Sequence, residues 1–376
     1  MANIEKFLTL QKEAVAQYQI SNRSGGIEIQ SQLIEQMLAL GPGEIKAQSR
    51  LGALLMDVAN QLVDAMRWEG QYEQAIALQE RLETFFPDSM AALRLAAANL
   101  RIEGGQEETG LAQIRQLVDQ DPHNLWLWTS LGAGYLWLSR YSEAEAAFNQ
   151  AAGLPNVRKL DRAVAQRYLF SLHASQEGHT AEAVAAWREG CQLDLQMKEM
   201  LPEVVRMLIY WRKYKEATAL AAEERDPVRK LFYQGLAIAE HGNYKAASGH
   251  WRTILLEHPP DGLQAGQDEY AEACIRLLNP STAIPVLEPL VEANQVNYFR
   301  LVILGLAWAQ KQATERAAWY LQHALRFGDL MRPRKTRLAP QGRILDIHAR
   351  LLYHHVIINA DVRAKLDIYF IPEKRP

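Results

Sequence analysis

The chain has 376 residues, 48% of them hydrophobic and 9% aromatic, which is enough apolar material for an extensive core. Its formal net charge of −3 excludes bulk electrostatic attraction to nucleic acid or to an anionic membrane surface. Two isolated cysteines, Cys191 and Cys274, exclude a disulfide framework or a cysteine metal knuckle; both lie in helical patterns and read as small buried hydrophobes.

The first residues, MANIEKFLTLQKEA, carry charges within the apolar run and no small-residue cleavage site, so no secretory signal is expected. No uncharged apolar window reaches the roughly 18 residues of a membrane span. A soluble, reduced, cytoplasmic protein is the expectation.

Residues 4 to 19 predict an amphipathic helix with Phe7, Leu10, Ala14 and Tyr18 on one side. A turn is expected at Asn22-Arg23-Ser24-Gly25-Gly26, then a second helix from Ile27 to Leu40, ended by Gly41-Pro42-Gly43. A long helix follows from Glu44 to Trp68. From there a layout recurs. It consists of a helix, a break at Gly70-Gln71-Tyr72, a helix with Ala75 and Leu82, and a stop at Pro87. The next stop is Asp121-Pro122, after a break at Gly104-Gly105.

The clearest unit runs from Leu125 to Pro155. Trp128, Leu131, Gly132 and Tyr135 share one helical face, and after a break at Ser139-Arg140, Ala144, Phe148 and Ala151 share another. This pattern of Trp, Leu-Gly, Tyr, Ala, Phe, Ala over about 34 residues resembles the tetratricopeptide repeat. In the unit before it, Arg94, Ala97, Ala98 and Arg101 stand in the Trp, Leu, Gly and Tyr slots. Later units carry Ala183 and Trp187, then Ala217, then Gly235, Ala247 and Trp251, then Ala271, Ala283 and Leu287, then Gly305, Ala317 and Leu321. The prolines Pro285 and Pro289 are expected to distort the second helix of the penultimate unit.

Eight such units fall between Asp57 and Met331. The resemblance implies an all-α, right-handed superhelical solenoid of antiparallel helix pairs, with the first helix of each pair lining an inner surface. Residues 1–43 read as an N-terminal cap and 44–331 as the repeat array. Residues 332–376 read as a basic linker followed by a capping helix, Ile344 to Val356, and an extended apolar end, Asp367 to Pro372. From residue 331 onward there are ten basic and four acidic residues, so the remainder carries −9 and the chain is polarised.

No nucleophile elbow, phosphate loop, zinc-helix or dinucleotide motif is present, so no enzymatic activity and no cofactor are expected. His348, His354 and His355 lack the i, i+4 spacing of a helical metal pair and read as half-exposed polar residues. The inner-surface register is more informative. Trp126 and Trp137 are surplus to the packing slots, and Tyr168, Arg206, Tyr210, Arg229 and Phe232 lie in equivalent register. These seven are the candidate partner-binding residues, a groove of aromatic anchors with arginine guides that suits a peptide segment or partner helix. The alternative is that neighbouring turns, or the chain's own Tyr369-Phe370-Ile371, cover them as ordinary core. The resemblance also brings to mind a clamp for chaperone C-termini, but the corresponding slots hold Leu95, Asn99, Thr129 and Ala133, which do not form it. The basic run Arg332 to Arg337 lacks interleaved aromatics, so nucleic acid is disfavoured as a partner. A protein-binding scaffold or adaptor is the expected role, with a peptide-sensing regulator of a signalling or transcription factor as the other reading.

Overall fold

The computed structural model describes residues 2–19, 23–263, 265–293, 295–329, 349–350 and 352–370. All regular structure among them is helical. The chain divides into two compact units, Met1–Asn156 and Val157–Pro376.

The first unit opens with a hairpin of α1 (Ala2–Gln19) and α2 (Arg23–Leu38) and the short α3 (Pro42–Ala47). Three hairpins follow: α4 (Ser49–Trp68) with α5 (Tyr72–Leu82), α6 (Met90–Glu103) with α7 (Glu107–Gln120), and α8 (Leu125–Trp137) with α9 (Tyr141–Gly153). Ser24, Gly25 and Gly26 are the first turn of α2 rather than a loop. The expected long helix from Glu44 is broken at Gln48, whose φ of −119° and ψ of 89° are not helical. Gln11, Gln30 and Gln61, one each from α1, α2 and α4, join their amides inside the opening bundle: Gln11 donates to Gln61 at 2.6 Å and Gln30 to Gln11 at 3.2 Å. Satisfying one another, they avoid the penalty of a buried unpaired amide.

The second unit contains five hairpins. They are α10 (Lys159–Ala174) with α11 (Thr180–Leu193), α12 (Leu201–Tyr210) with α13 (Tyr214–Ala221), α14 (Pro227–Glu240) with α15 (Tyr244–Glu257), α16 (Gln267–Arg276) with α17 (Pro280–Glu292), and α18 (Tyr298–Gln310) with α19 (Thr314–Asp329). The helix α20 (Ala360–Phe370) packs on α19. Within each unit a helix touches chiefly its sequence neighbours, and first helices of successive hairpins meet, as α6 meets α8 and α14 meets α16. This near-neighbour pattern is that of a repeat array.

The turns repeat as well. Between paired helices the chain enters the left-handed region at Gly70, Gly105, Ser139, Gly178, Arg212, Gly242, Leu278 and Gln312. Spacing is widest before Gly178 and narrowest before Gly242, where the α12–α13 hairpin is short. At most of these turns an amide reaches back five residues, as in Arg140 N to Tyr135 O at 2.8 Å and Asn279 N to Cys274 O at 2.9 Å. The bond satisfies a helix-end carbonyl and fixes the reversal. At the α10–α11 turn the Ala174 carbonyl instead accepts the Trp211 indole N–H at 3.0 Å, so the next hairpin completes it.

Two expectations need correction. The helix α17 is continuous through Pro285 and Pro289. The two prolines are spaced i, i+4 and both are exposed, while Ala283, Ile284 and Leu287 face inward. Their missing donors and ring bulk therefore fall on the solvent side. The end of the chain is not extended through Phe370, because Val362, Leu366 and Phe370, at i, i+4 and i+8, give α20 a buried face. The Phe370 ring stacks on Tyr353 at 4.1 Å between centroids, and the Tyr353 hydroxyl lies 2.7 Å from Asp367 Oδ1. The basic run Arg332 to Arg337, Ile371 and His348 lie outside the described residues.

Close packing within hairpins depends on small residues. A Cβ on Gly132 would lie 2.5 Å from the Phe148 ring, one on Gly235 2.7 Å from the Trp251 indole and one on Gly305 2.6 Å from Leu321. Gly132→Ala should destabilise the first unit by about 1–3 kcal/mol through overpacking. Adding Phe148→Ile should recover much of that loss in urea denaturation, because the preceding hairpin carries Ala98 and Ile114 at the same two register positions. A second expectation concerns pH. Burial pushes the Tyr270 hydroxyl and the Cys274 thiol up to about 12 each. In the unfolded chain they ionise near about 10 and 8.5. The native state thus keeps protons the unfolded state loses, so this contribution is complete below those unfolded values and disappears as pH climbs toward the native ones. The urea midpoint should fall across this alkaline range, and less steeply in Tyr270→Phe/Cys274→Ala.

Candidate binding surfaces

The seven residues of the sequence register fall two in the first unit and five in the second. Asn124 caps α8, its side chain accepting from Trp126 N at 3.1 Å. Trp128 donates its indole N–H to Pro122 O at 2.9 Å, and Tyr135 is buried with its hydroxyl accepting from Arg115 Nε at 2.9 Å. The packing slots are therefore filled by these two. Trp126 is 51% exposed and Trp137, three turns on, is half-buried.

The first unit also holds an open pocket of about 470 Å³ among α5, α6 and α7. Arg94 and Arg101 of α6 line it, with Glu80 of α5 and Glu83 at its C-cap on one side and Gln113, Gln116 and Gln120 of α7 on another. Arg94 Nε donates to Glu83 at 3.0 Å; Arg101 bridges Glu80 and Gln113. Sequence reading placed these arginines in the Trp and Tyr slots without anticipating that the exchange opens space.

In the second unit, Tyr168 and Tyr210 are half-buried, and Tyr210 meets Trp211 edge to face at 4.6 Å. Phe232 and Arg206 are corrections to the groove picture. Phe232 is completely enclosed, edge-on to Tyr233, with its carbonyl facing the Trp251 indole, so it has no surface to offer a partner. Arg206 is only 6% exposed. Its Nε and Nη2 donate to the Tyr233 hydroxyl at 3.1 and 2.9 Å, and Tyr233 donates to Glu269 Oε1 at 2.7 Å. The guanidinium lies over the Phe299 ring, 4.5 Å from its centroid. On α16, Arg276 Nε donates to Glu272 at 2.7 Å; both side chains are fully buried. Arg229 stands at the edge of this cluster, 3.8 Å from Glu269 and 3.5 Å from the exposed Glu199.

The cluster thus joins α12, α14, α16 and α18. Burial works against the Arg206 charge, but Tyr233, Glu272 and Glu269 outweigh it and hold the guanidinium firmly protonated. Burial and the neighbouring Glu269 carboxylate push the Tyr233 hydroxyl well above its ordinary range, so it stays a neutral donor. The signal for this cluster was present in the sequence as Arg206, Tyr233, Glu269, Glu272 and Arg276. Nothing in their spacing says that they meet. Glu108 and Glu223 are solvent-exposed and pair with Arg140 and Arg188. His355 lies 3.4 Å from Glu240, and among the described residues no group of three histidine, cysteine or carboxylate side chains is arranged to hold a metal.

No family model matches the chain, and no curated protein matches it. Among solved structures it is similar to a tetratricopeptide repeat protein from Parabacteroides merdae ATCC 43184, at 15% identity and a TM-score of 0.35, over 63% of this chain and 93% of that one. It is also similar to the structure of Naa15/Naa10 bound to HypK-THB, at 13% identity and a TM-score of 0.39, over 98% of this chain and 66% of that one. Likenesses of this degree carry no functional argument; the succession of helix hairpins stands on the structure itself.

Arg206→Ala should leave Tyr233 without its cation and Glu269 with only the edge contact of Arg229. Breaking a buried pair costs about 3–5 kcal/mol. Hydrogen exchange should accelerate in α12, α14 and α16 while the first unit is unchanged. Arg206→Met/Glu269→Gln, which removes charge from both sides, should be less damaging than Arg206→Ala alone.

Proposed function

We infer that the chain is a helical-repeat scaffold that binds another protein, taking a peptide segment or helix of the partner against the first helices of its hairpins. The observation that carries this reading is Trp126. It is a large aromatic side chain, half-exposed on α8 although Trp128 and Tyr135 already fill the packing positions. Exposed tryptophan on a rigid helix makes an anchor at small entropic cost. Trp137 extends the same helix face, and in the second unit Tyr168, Tyr210 and Arg229 keep accessible surface. The reading no longer includes Phe232 or Arg206 as contacts. Among the described residues no helix is long and apolar enough to cross a membrane. Within this reading, the α1–α2 hairpin caps the start of the array and α20 its end.

The test is photocrosslinking from position 126 in host lysate, alongside capture with wild type and with Trp126→Ala/Trp137→Glu. A partner that crosslinks at 126 and is lost from the double variant, with helicity unchanged by circular dichroism, is the expected result. A partner retained by the double variant would remove α8 from the interface. Loss of helicity would assign Trp137 to the core, and Trp126→Ala alone would then decide.

A further inference from the structure

Trp126 is not among the residues lining the pocket of the first unit, and the reading above does not use that pocket. In the hairpin that follows, the two aromatic slots of the first helix hold Trp128 and Tyr135; here they hold Arg94 and Arg101. Each arginine is paired within the fold, but not to the same extent. The Arg101 side chain is 13% exposed and uses two of its nitrogens on Glu80 and Gln113. Arg94 is 47% exposed and bonds Glu83 through Nε alone, with Glu83 the deeper of the two at 19%. Nη1 and Nη2 of Arg94 thus carry no hydrogen bond to the described residues, and the side chain keeps open surface. The Nη1–Nη2 edge matches a carboxylate in bidentate geometry.

The opposite wall supplies a different chemistry. The side chains of Gln116 and Gln120 of α7 are exposed, line the pocket and have no hydrogen-bond partner among the described residues. A primary amide accepts and donates side by side, which matches the N–H and C=O of a single residue of an extended strand, since these two groups point the same way. Four residues of helix advance about 6 Å, close to the roughly 6.6 Å of two residues of extended chain. Two glutamines at that interval therefore meet the N–H and C=O of residues i and i+2 on one edge of an extended strand. At the base, Ala97 and Leu117 offer apolar surface to a side-chain stem.

We propose that this pocket is a binding site for an extended polypeptide segment, held through its backbone by Gln116 and Gln120 and carrying an acidic side chain onto Arg94. The pocket's two Arg–Glu pairs are charge-balanced, so recognition depends on the Nη1–Nη2 edge of Arg94 rather than on a general positive field.

The test uses the full chain and the peptide acetyl-Ser-Ser-Glu-Ser-Ser-amide. Its glutamine and lysine counterparts and sodium acetate serve as controls. The readout is the side-chain nitrogen resonances of Gln116, Gln120 and Arg94. The glutamate peptide should shift all three, and the glutamine peptide should bind about tenfold more weakly, the loss of one charged hydrogen-bonding partner. Arg94→Gln should abolish that preference, and Gln116→Ala/Gln120→Ala should weaken both peptides. Acetate alone reproducing the shifts at equal concentration would reduce the pocket to an anion site and overturn the peptide assignment. Stronger binding of the lysine peptide, or no shift with any peptide, would also overturn it. Unchanged backbone spectra confirm folding, and the glutamine variant gives an independent reading should Arg94→Gln disturb Glu83.

Discussion

The contact on which every hairpin depends is one position of its first helix against one large or small side chain of its second. Gly132 meets Phe148, Gly235 meets Trp251 and Gly305 meets Leu321, at distances that leave no room for a Cβ. Where the first position grows, the second shrinks or changes shape. At the sequence spacing of those three pairs, Ala98 aligns with Ile114, Ala271 with Leu287 and Val205 with Ala221, all buried. The close approach also moves between helices. Before α8 it is Gly110 of α7 that tolerates no Cβ, lying against the Ala98 carbonyl. The constraint is thus on the summed volume at the helix crossing rather than on glycine at one site, as expected for interiors packed to crystal-like density.

That constraint fixes the inner edge of each first helix and leaves its other edge free to differ. The two units use this freedom in opposite ways. In the second, Arg206, Tyr233, Glu269, Glu272 and Arg276 turn the free edges inward and bind consecutive first helices to one another. Buried ion pairs are weak sources of net stability, since desolvation offsets much of the attraction, but they are unforgiving of misplacement. A cluster reaching α12, α14, α16 and α18 therefore specifies how these helices align more than it strengthens them. In the first unit the corresponding edges stay wet, with Arg94 half-open beside Glu83 and Trp126 uncovered.

What the sequence revealed follows from range. The helix pairs, their turns and the small-large slots are set by residues within about one repeat of each other, and periodicity exposes them. The α17 prolines misled because a penalty was counted without its direction, and direction depends on which face is buried. The chain end misled because the β-prone Ile368-Tyr369-Phe370 hides an i, i+4 spacing with Val362 and Leu366. Arg206 and Phe232 are the instructive failures among the site residues. Their register on the first helix is that of a surface position. Whether Arg206 is surface depends on Tyr233, Glu269 and Phe299, which lie some 27 to 93 residues away and carry no periodic signature linking them to it.

This asymmetry bears on where a partner is accommodated. A residue whose polar groups are committed to buried neighbours cannot exchange them for a ligand without leaving charges unmatched, and that argues against Arg206 as a contact whatever its register. Arg94 has the opposite situation, with one nitrogen bonded to Glu83, none of the described residues bonded to the other two, and about half of its side chain open. Arg229 is intermediate, shared between buried Glu269 and exposed Glu199. Ranking first-helix side chains by uncommitted hydrogen-bonding capacity and open area, rather than by repeat position, moves the binding assignment toward α6 and α8. In this array the position within a repeat says which way a side chain starts out, and the neighbours it meets decide whether it remains available.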